Sequence, residues 1–433
     1  MRSILLAAVL LAGQALAAPV VVVPLEGAVG PASADFVRRS IERAATDGAA
    51  LVVLRIDTPG GLDTSMREII KSILASPVPV AAFVAPSGAR AASAGTFIVY
   101  ASHIAAMAPG TNLGAASPVA LMGGGDKDEK KGGEDRMMRK VTNDAVAYIR
   151  GFAALRHRNA DWAEKAVREG VSLPADEALK QKVVDFVVAD VPALLQKLDG
   201  RTVEAGGTKH VLHVAGALAQ ELQPDWRTRF LALITNPSVA YLLVLLGVYA
   251  LLFEFMNPGI MLPGVVGVLA LLIAAYALHM LPVNYAGLAL ILLGIGFMIA
   301  EAFFPAFGSL GIGGVVAFVV GSIMLIQDTE LPDFEIPVAL IAGVAAASAG
   351  FLIFVVGMLV KSRRRVPVSG REHLIGARAE ALGDFEGEGW ARVRGEQWKV
   401  RTPAAVHRGQ KLRVKAMHGL VLEVEPESQP KGD

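Results

Sequence analysis

A hydroxyl set among small residues is the first chemically suggestive feature of the chain. Ser93 lies in residues 88–100, GARAASAGTFIVY, with Ala91 and Ala92 before it and Ala94 and Gly95 after it. Small neighbours let a substrate backbone approach, and they leave the Ala94 N–H open to a developing oxyanion. The same composition also fits a tightly packed helix start with no chemistry. A serine nucleophile needs a base. The nearest following histidine, His103, is ten residues on. Along a continuous helix that is about 15 Å, beyond hydrogen-bond reach. Nothing around His157, His210 or His213 marks a site, and His279 falls in an apolar stretch. Position 91 is alanine, so no G-x-S-x-G elbow surrounds Ser93.

Lysine is the other available base, provided that burial keeps it neutral. Lys140 opens a segment with apolar residues at Val141, Ala145, Tyr148 and Phe152, where it can be turned inward. The competing role is a surface pair with Asp144 one helical turn on. Lys127, Lys130 and Lys131 fall in residues 121–136, LMGGGDKDEKKGGEDR, which reads as a solvated, mobile loop. Gly60-Gly61 closes a turn directly after an apolar run, and Ser93 also follows one. In layered α/β sheets sites collect at the carboxyl ends of strands, so the two features can share one rim.

The surrounding elements fit that arrangement. Apolar runs at 20–23, 51–56 and 79–84 read as buried strands. Between them, 31–45 has helical spacing, and a helix carrying Met66, Ile69, Ile70 and Leu74 can be capped by Asp63 or Thr64. Helices are expected again from about residue 135 and over 162–179, broken at Pro174, with a strand at 183–188. Alternating strands and helices imply βαβ units.

Composition bounds the rest. The chain has 433 residues, 53% of them hydrophobic, and a mean hydropathy of +0.49. That is too long for one ordinary domain and too apolar for a wholly soluble chain. A net charge of +1 gives no global field for nucleic acid. The absence of cysteine removes disulfides, thiolate nucleophiles and cysteine-ligated metals. Residues 1–17 have the form of a secretory signal: Arg2, an apolar run over 4–11, and Ala15-Leu16-Ala17. Five candidate membrane spans follow Asn236, at 239–255, 260–280, 285–303, 310–326 and 337–360. Lys361, Arg363, Arg364 and Arg365 follow the last, which suits a cytoplasmic end. Glu254 and Glu301 near span ends read as interfacial. Residues 370–425 hold five short alternating runs, the pattern of a small barrel of the OB type. Only Trp390 and Trp398 offer a stacking surface there, and the basic excess is weak, so no nucleic acid is expected.

Five stretches carry a family resemblance: DTPGGLDTS (57–65), ASAGTFI (92–98), MAPGTNLGAASPV (107–119), KVTNDAVAYIR (140–150) and NPSVAYLLVLLG (236–247). With them the chain resembles the full-length NfeD-like membrane serine proteases, whose catalytic domain is similar to ClpP and to signal peptide peptidase A. The resemblance implies an α/β ClpP/crotonase-like protease domain over 18–215. It implies a multi-span α-helical membrane domain over 236–360 and a small all-β OB-fold domain over 370–426. It implies a Ser-Lys dyad of Ser93 and Lys140, with an oxyanion hole from the N–H groups of Gly60 or Gly61 and Ala94. The region where ClpP carries its histidine corresponds to residues 116–118, which hold none. No metal, nucleotide or other cofactor is implied. The implied substrates are apolar segments of membrane proteins, notably of a stomatin- or prohibitin-like partner. Contact with membrane lipid and homo-oligomerisation are also implied, in a bacterial or archaeal-type cell membrane with the protease domain outside. The alternatives are a non-catalytic scaffold for stomatin-type microdomains and a signal-peptide-degrading peptidase.

Overall fold

Runs of β-branched residues pair in parallel and form the first sheet. The structure, a computed structural model, describes residues 18–118, 131–257, 259–304, 308–326, 335–363 and 371–427. The expected signal segment, most of the charged stretch 121–136, and the acidic loop at 327–334 lie outside the described residues. So do the side chains of the basic cluster at 361–365.

Strands β1 (Val20–Glu26), β2 (Leu51–Asp57), β3 (Val80–Val84) and β5 (Ile104–Met107) are almost wholly buried. Continuous apolar strands are what a sheet covered on both faces requires. The sheet has six parallel strands in the order β11-β1-β2-β3-β5-β8, with β8 at Phe186–Val187 and β11 at Ala219–Glu221. Helices α1 (Pro31–Thr46), α2 (Asp63–Leu74) and α3 (Ala94–Ala101) pack on one face around Phe36, Ile69 and Ile98. Phe83, Leu194 and Leu198 fill the other. A short second sheet, β4 (Arg90–Ala92), β6 (Asn112–Gly114) and β7 (Ser172–Pro174), stands beside the first. Helices α4 (Lys131–Leu155) and α5 (Ala160–Arg168) complete the layer, α6 (Ala175–Lys180) follows β7, and α7 (Val191–Leu198) supplies Leu194 and Leu198 to the other face. The expected break at Pro174 ends β7. The expected strand at 183–188 shrinks to two residues. Asp63 does not cap α2: Leu62 occupies the N-cap, and the Asp63 carboxylate binds Arg67 one turn on, at 2.8 Å.

Helix α8 (Trp226–Ile234) leads into the apolar region. Asp225 caps it through the Thr228 N–H (2.9 Å) and ties it to α1 through Arg39 (2.9 Å). The Arg39 hydrogen bond holds the Asp225 carboxyl well below the usual range. Helices α9 (Pro237–Met256) and α10 (Leu262–Met280) are long and apolar enough to cross a membrane. The described apolar stretches of α11 (Tyr285–Phe303), α12 (Ser309–Leu325) and α13 (Val338–Arg363) are shorter, at Tyr285–Glu301, Ser309–Leu325 and Val338–Phe351.

These helices form two hairpins built alike. In the first, a Cβ on Gly247 would lie 2.5 Å from Leu271 and 3.0 Å from the Gly267 carbonyl. In the second, a Cβ on Gly294 would lie 2.6 Å from the Gly314 carbonyl. Glu254, on α9, accepts the Met261 and Gly264 N–H groups at the start of α10. Glu301, on α11, accepts the Gly308, Leu310 and Gly311 N–H groups at the start of α12. One offset relates Glu254 to Glu301, Gly247 to Gly294, Gly264 to Gly311 and Gly267 to Gly314. The two carboxylates thus close helix N-termini that have no donors' partners of their own.

After the hairpin β9 (Thr202–Ala205) and β10 (Thr208–Val211), the last strands are β12 (Arg378–Ala381), β13 (Phe385–Val393), β14 (Glu396–Val406), β15 (Lys411–His418) and β16 (Val421–Pro426). They close a C-terminal barrel in the order β12-β13-β14-β16-β15. Its inward positions, among them Ala391, Val393, Val400, Leu412 and Leu422, form a separate core. Trp398 pairs across from inward-facing Ala391, whereas Trp390 pairs with Lys399 and is exposed. The two tryptophans therefore point to opposite sides of the wall and make no common stacking platform.

Candidate active site

The Ser93 turn is shaped by three strand ends that meet. Ser93 sits at the N-cap of α3 with φ 49° and ψ −113°. Such a backbone conformation is sterically costly for a residue with a Cβ and persists only where surrounding bonds fix it. Those bonds are present. The Ser93 N–H donates to the Gly114 carbonyl (3.1 Å). The buried Thr96 hydroxyl reaches the Ala91 and Gly114 carbonyls (2.9 and 3.0 Å) and accepts the Gly114 N–H (3.1 Å). Thr58, also fully buried, joins β2 to β4 through the Arg90 and Ala92 backbones. Neither threonine stood out in the sequence, because a single hydroxyl at a strand end leaves no periodic mark.

The Gly60-Gly61 turn packs directly on this serine. Gly60 has φ +126°, and a Cβ there would lie 2.7 Å from the Ser93 Cβ. Its N–H is engaged by the Thr58 hydroxyl (3.0 Å). Of the two glycines named as oxyanion donors, Gly60 is therefore occupied. The Gly61 N–H has no partner among the described residues, and a Cβ on Gly61 would lie 2.1 Å from the Val29 carbonyl. Ala94 is the first residue of α3, so its N–H has no intrahelical acceptor. Gly60→Ala is expected to lower kcat about 10²-fold by displacing Ser93, and to lower the thermal midpoint as well, because alanine is strained at this φ. Steady-state kinetics beside a melting curve checks this.

Lys140 lies on α4 and is exposed, not turned into the core as its apolar neighbours suggest. It makes no ion pair among the described residues. The alternative partner, Asp144, binds Arg67 instead (2.7 Å). Arg67 also holds Asp63 and lies over the Tyr148 ring (4.4 Å), so it clamps α2 to α4.

Ser93, Ala94, Gly61 and Lys140 line one cavity of about 950 Å³. Leu62, Met66 and Phe97 give it apolar surface, and Ala116, Ser117 and Pro118 border it, offering no base. His103 is elsewhere: its Nδ1 accepts the Val80 N–H (3.2 Å). Burial, with Arg156 and Arg158 nearby, pushes its pKa down to about 3. Arg158, fully buried, closes the other end of α3 by donating to the Val99, Tyr100 and Ser102 carbonyls.

Known proteins match along the whole chain. Residues 19–205 match the NfeD1b N-terminal domain, 238–358 the NfeD integral membrane domain, and 371–426 the NfeD-like C-terminal, partner-binding domain. The membrane-bound protease PH1510 of Pyrococcus horikoshii is 34% identical over 446 residues, covering 100% of both chains. The membrane protein NfeD1b of Bacillus subtilis is 29% identical over 307 residues, 69% of this chain and 65% of that one. A solved structure of the 1510-N membrane protease specific for a stomatin homolog, from Pyrococcus horikoshii, is 32% identical with a TM-score of 0.43. It covers 50% of this chain and 98% of that one. A lysine-to-alanine form of the 1510-N protease, in complex with a substrate peptide, is 32% identical with a TM-score of 0.45. It covers 49% of this chain and 96% of that one. The α/β domain, apolar helices and closed barrel, with full-length identity to a membrane-bound protease, establish that the chain belongs to the NfeD family of membrane-bound proteases.

Proposed function

We propose that this protease is a serine endopeptidase in which Ser93 and Lys140 form the catalytic pair. Ser93 Oγ attacks the scissile carbonyl carbon as Lys140 Nζ takes its proton. The oxyanion that forms is held by the N–H groups of Gly61 and Ala94, the two backbone donors left open beside Ser93. Lys140 returns the proton to the leaving amine. A water, deprotonated by Lys140 Nζ, then attacks the acyl carbon, and Lys140 returns that proton to Ser93 Oγ as the acid product leaves. The observation that carries this reading is the single cavity lined by all four residues. Lys140 is exposed at the cleft, so a peptide lying across it is what shields its amine.

The substrates are apolar segments of membrane-associated proteins. The apolar cleft surface supports this, and so does a related protease described as specific for a stomatin homolog. A stomatin- or prohibitin-like protein is the proposed partner, met through the C-terminal domain, whose family is described as partner-binding. Domains over 18–215, 236–360 and 370–426, five spans in lipid, an extracytoplasmic protease domain, a cytoplasmic C-terminal domain and self-association complete the proposal. The test is covalent. The full-length chain in lipid nanodiscs is treated with a peptidyl phosphonate, and the adduct is mapped by mass spectrometry. Modification of Ser93 with loss of peptidase activity is expected, and an inactivated enzyme with Ser93 unmodified rejects the assignment.

A further inference from the structure

One side of the Ser93 cleft does not come from the α/β domain. His279 and Met280, at the end of α10, and Leu281 and Pro282, leading toward α11, line the same cavity as Ser93 and Lys140. This joint is a fixed surface. Leu281 is buried, and its N–H turns back to the Leu278 carbonyl. The Asn284 N–H binds the Leu325 carbonyl at the end of α12 (2.9 Å), and the Asn284 side chain caps α11. His279 is exposed and Met280 half-buried, so both can be touched by whatever fills the cleft.

We infer that residues 279–282 form a substrate subsite, with Met280 selecting an apolar side chain of the bound peptide and His279 lying against that peptide. The inference rests on the Ser93–Lys140 reading and adds to it the element that sets specificity. Helix α10 is apolar and long enough to cross a bilayer, and its end borders the catalytic cleft. The mouth of the cleft therefore lies where that helix leaves the hydrocarbon. A peptide reaching Ser93 passes along the membrane surface, and its apolar side chains meet Met280 and Pro282 on one side and Phe97 on the other. The substrate class is an extended segment beside a membrane anchor. An apolar pocket of this kind discriminates by size and polarity, typically about tenfold to a few hundredfold per group.

The chain has no cysteine, so a single introduced thiol reports on one place. The full-length His279→Cys variant in lipid nanodiscs is reacted with a maleimide before and after Ser93 is capped. The cap is either a peptidyl phosphonate with leucine side chains or a small fluorophosphonate lacking a peptide. The peptidyl cap is expected to slow labelling at least about tenfold, and the small cap to leave it unchanged. In parallel, Met280→Ser is expected to lower the kcat/KM ratio of a leucine-containing peptide to its serine analogue about tenfold. If Ser93 takes the peptidyl cap but labelling does not change, and the ratio is that of the parent, the subsite is wrong while the catalytic reading stands. If Ser93 takes neither cap, the catalytic reading fails, and the subsite fails with it.

Discussion

Alanine at Ser93, at Lys140, or at both is expected to cost the same, about 10⁴–10⁶ in kcat. Members of one catalytic unit are not additive, because either loss already forfeits the shared step. The residual rate comes from the oxyanion donors and binding, which both variants keep. KM should change little, since neither side chain contributes much apolar surface to the cleft. Stability should also hold within about 0.5 kcal/mol, the usual range for open positions. Lys140 has no ion partner among the described residues, and Asp144 stays with Arg67. Lys140→Arg should not restore activity, because a guanidinium does not give up its proton. Turnover of one peptide by the parent, the two single variants and the double variant is the measurement. A double-variant loss equal to the product of the single losses would show that the residues act independently, and activity within tenfold of the parent for either single variant would refute its role.

Arg158→Met is expected to destabilise the protease domain by about 3–5 kcal/mol, the range for breaking a buried charged network by removing one partner. Arg158 is buried, and one of its nitrogens reaches the Val99, Tyr100 and Ser102 carbonyls at 2.8, 2.9 and 3.0 Å. The other pairs with Asp185 at 3.1 Å. Methionine fills much of the volume but satisfies none of these acceptors, so the three carbonyls at the end of α3 lose this donor, and the Asp185 oxygen keeps only the Ala105 N–H (2.8 Å). The expected fall in thermal midpoint is about 2–4 °C per kcal/mol for a domain of this size. Because α3 begins with Ala94, activity should fall at temperatures below the midpoint as well. Thermal unfolding followed by near-UV circular dichroism checks this, and a shift under 2 °C would mean that the carbonyls find other donors.

Legibility followed sequence distance. The strands β1, β2 and β3, the Ser93 turn and the Gly60-Gly61 turn could be read locally, because apolar runs and small-residue clusters are local signals. Rejecting His103 also followed from local spacing, and its bond to Val80 supplies the reason in three dimensions. Lys140 could be proposed from its neighbours but singled out only by resemblance. Its meeting with Ser93 in one cleft depends on Arg67 holding α4 to α2, a contact between residues far apart in the chain. Arg158 and Asp185 were invisible for the same reason. His279 read as part of a span, and hydropathy gave no indication that the end of that span borders a cleft. The repeated hairpin was different. Its signal, a glutamate and three glycines recurring at one offset, stood in the sequence and was masked by uniform apolarity.

Gly247 against Gly267 and Gly294 against Gly314 bring helix backbones together through atoms that are missing. Within these hairpins, what distinguishes one apolar position from another is vacancy of side chain, not oiliness. Alanine, the gentlest exchange on any hydropathy scale, is there the coarsest one, because a single methyl group wedges two helices apart. Tolerance to substitution in this region should therefore follow how closely the helices approach, and positions that look interchangeable by composition should separate into two unequal classes.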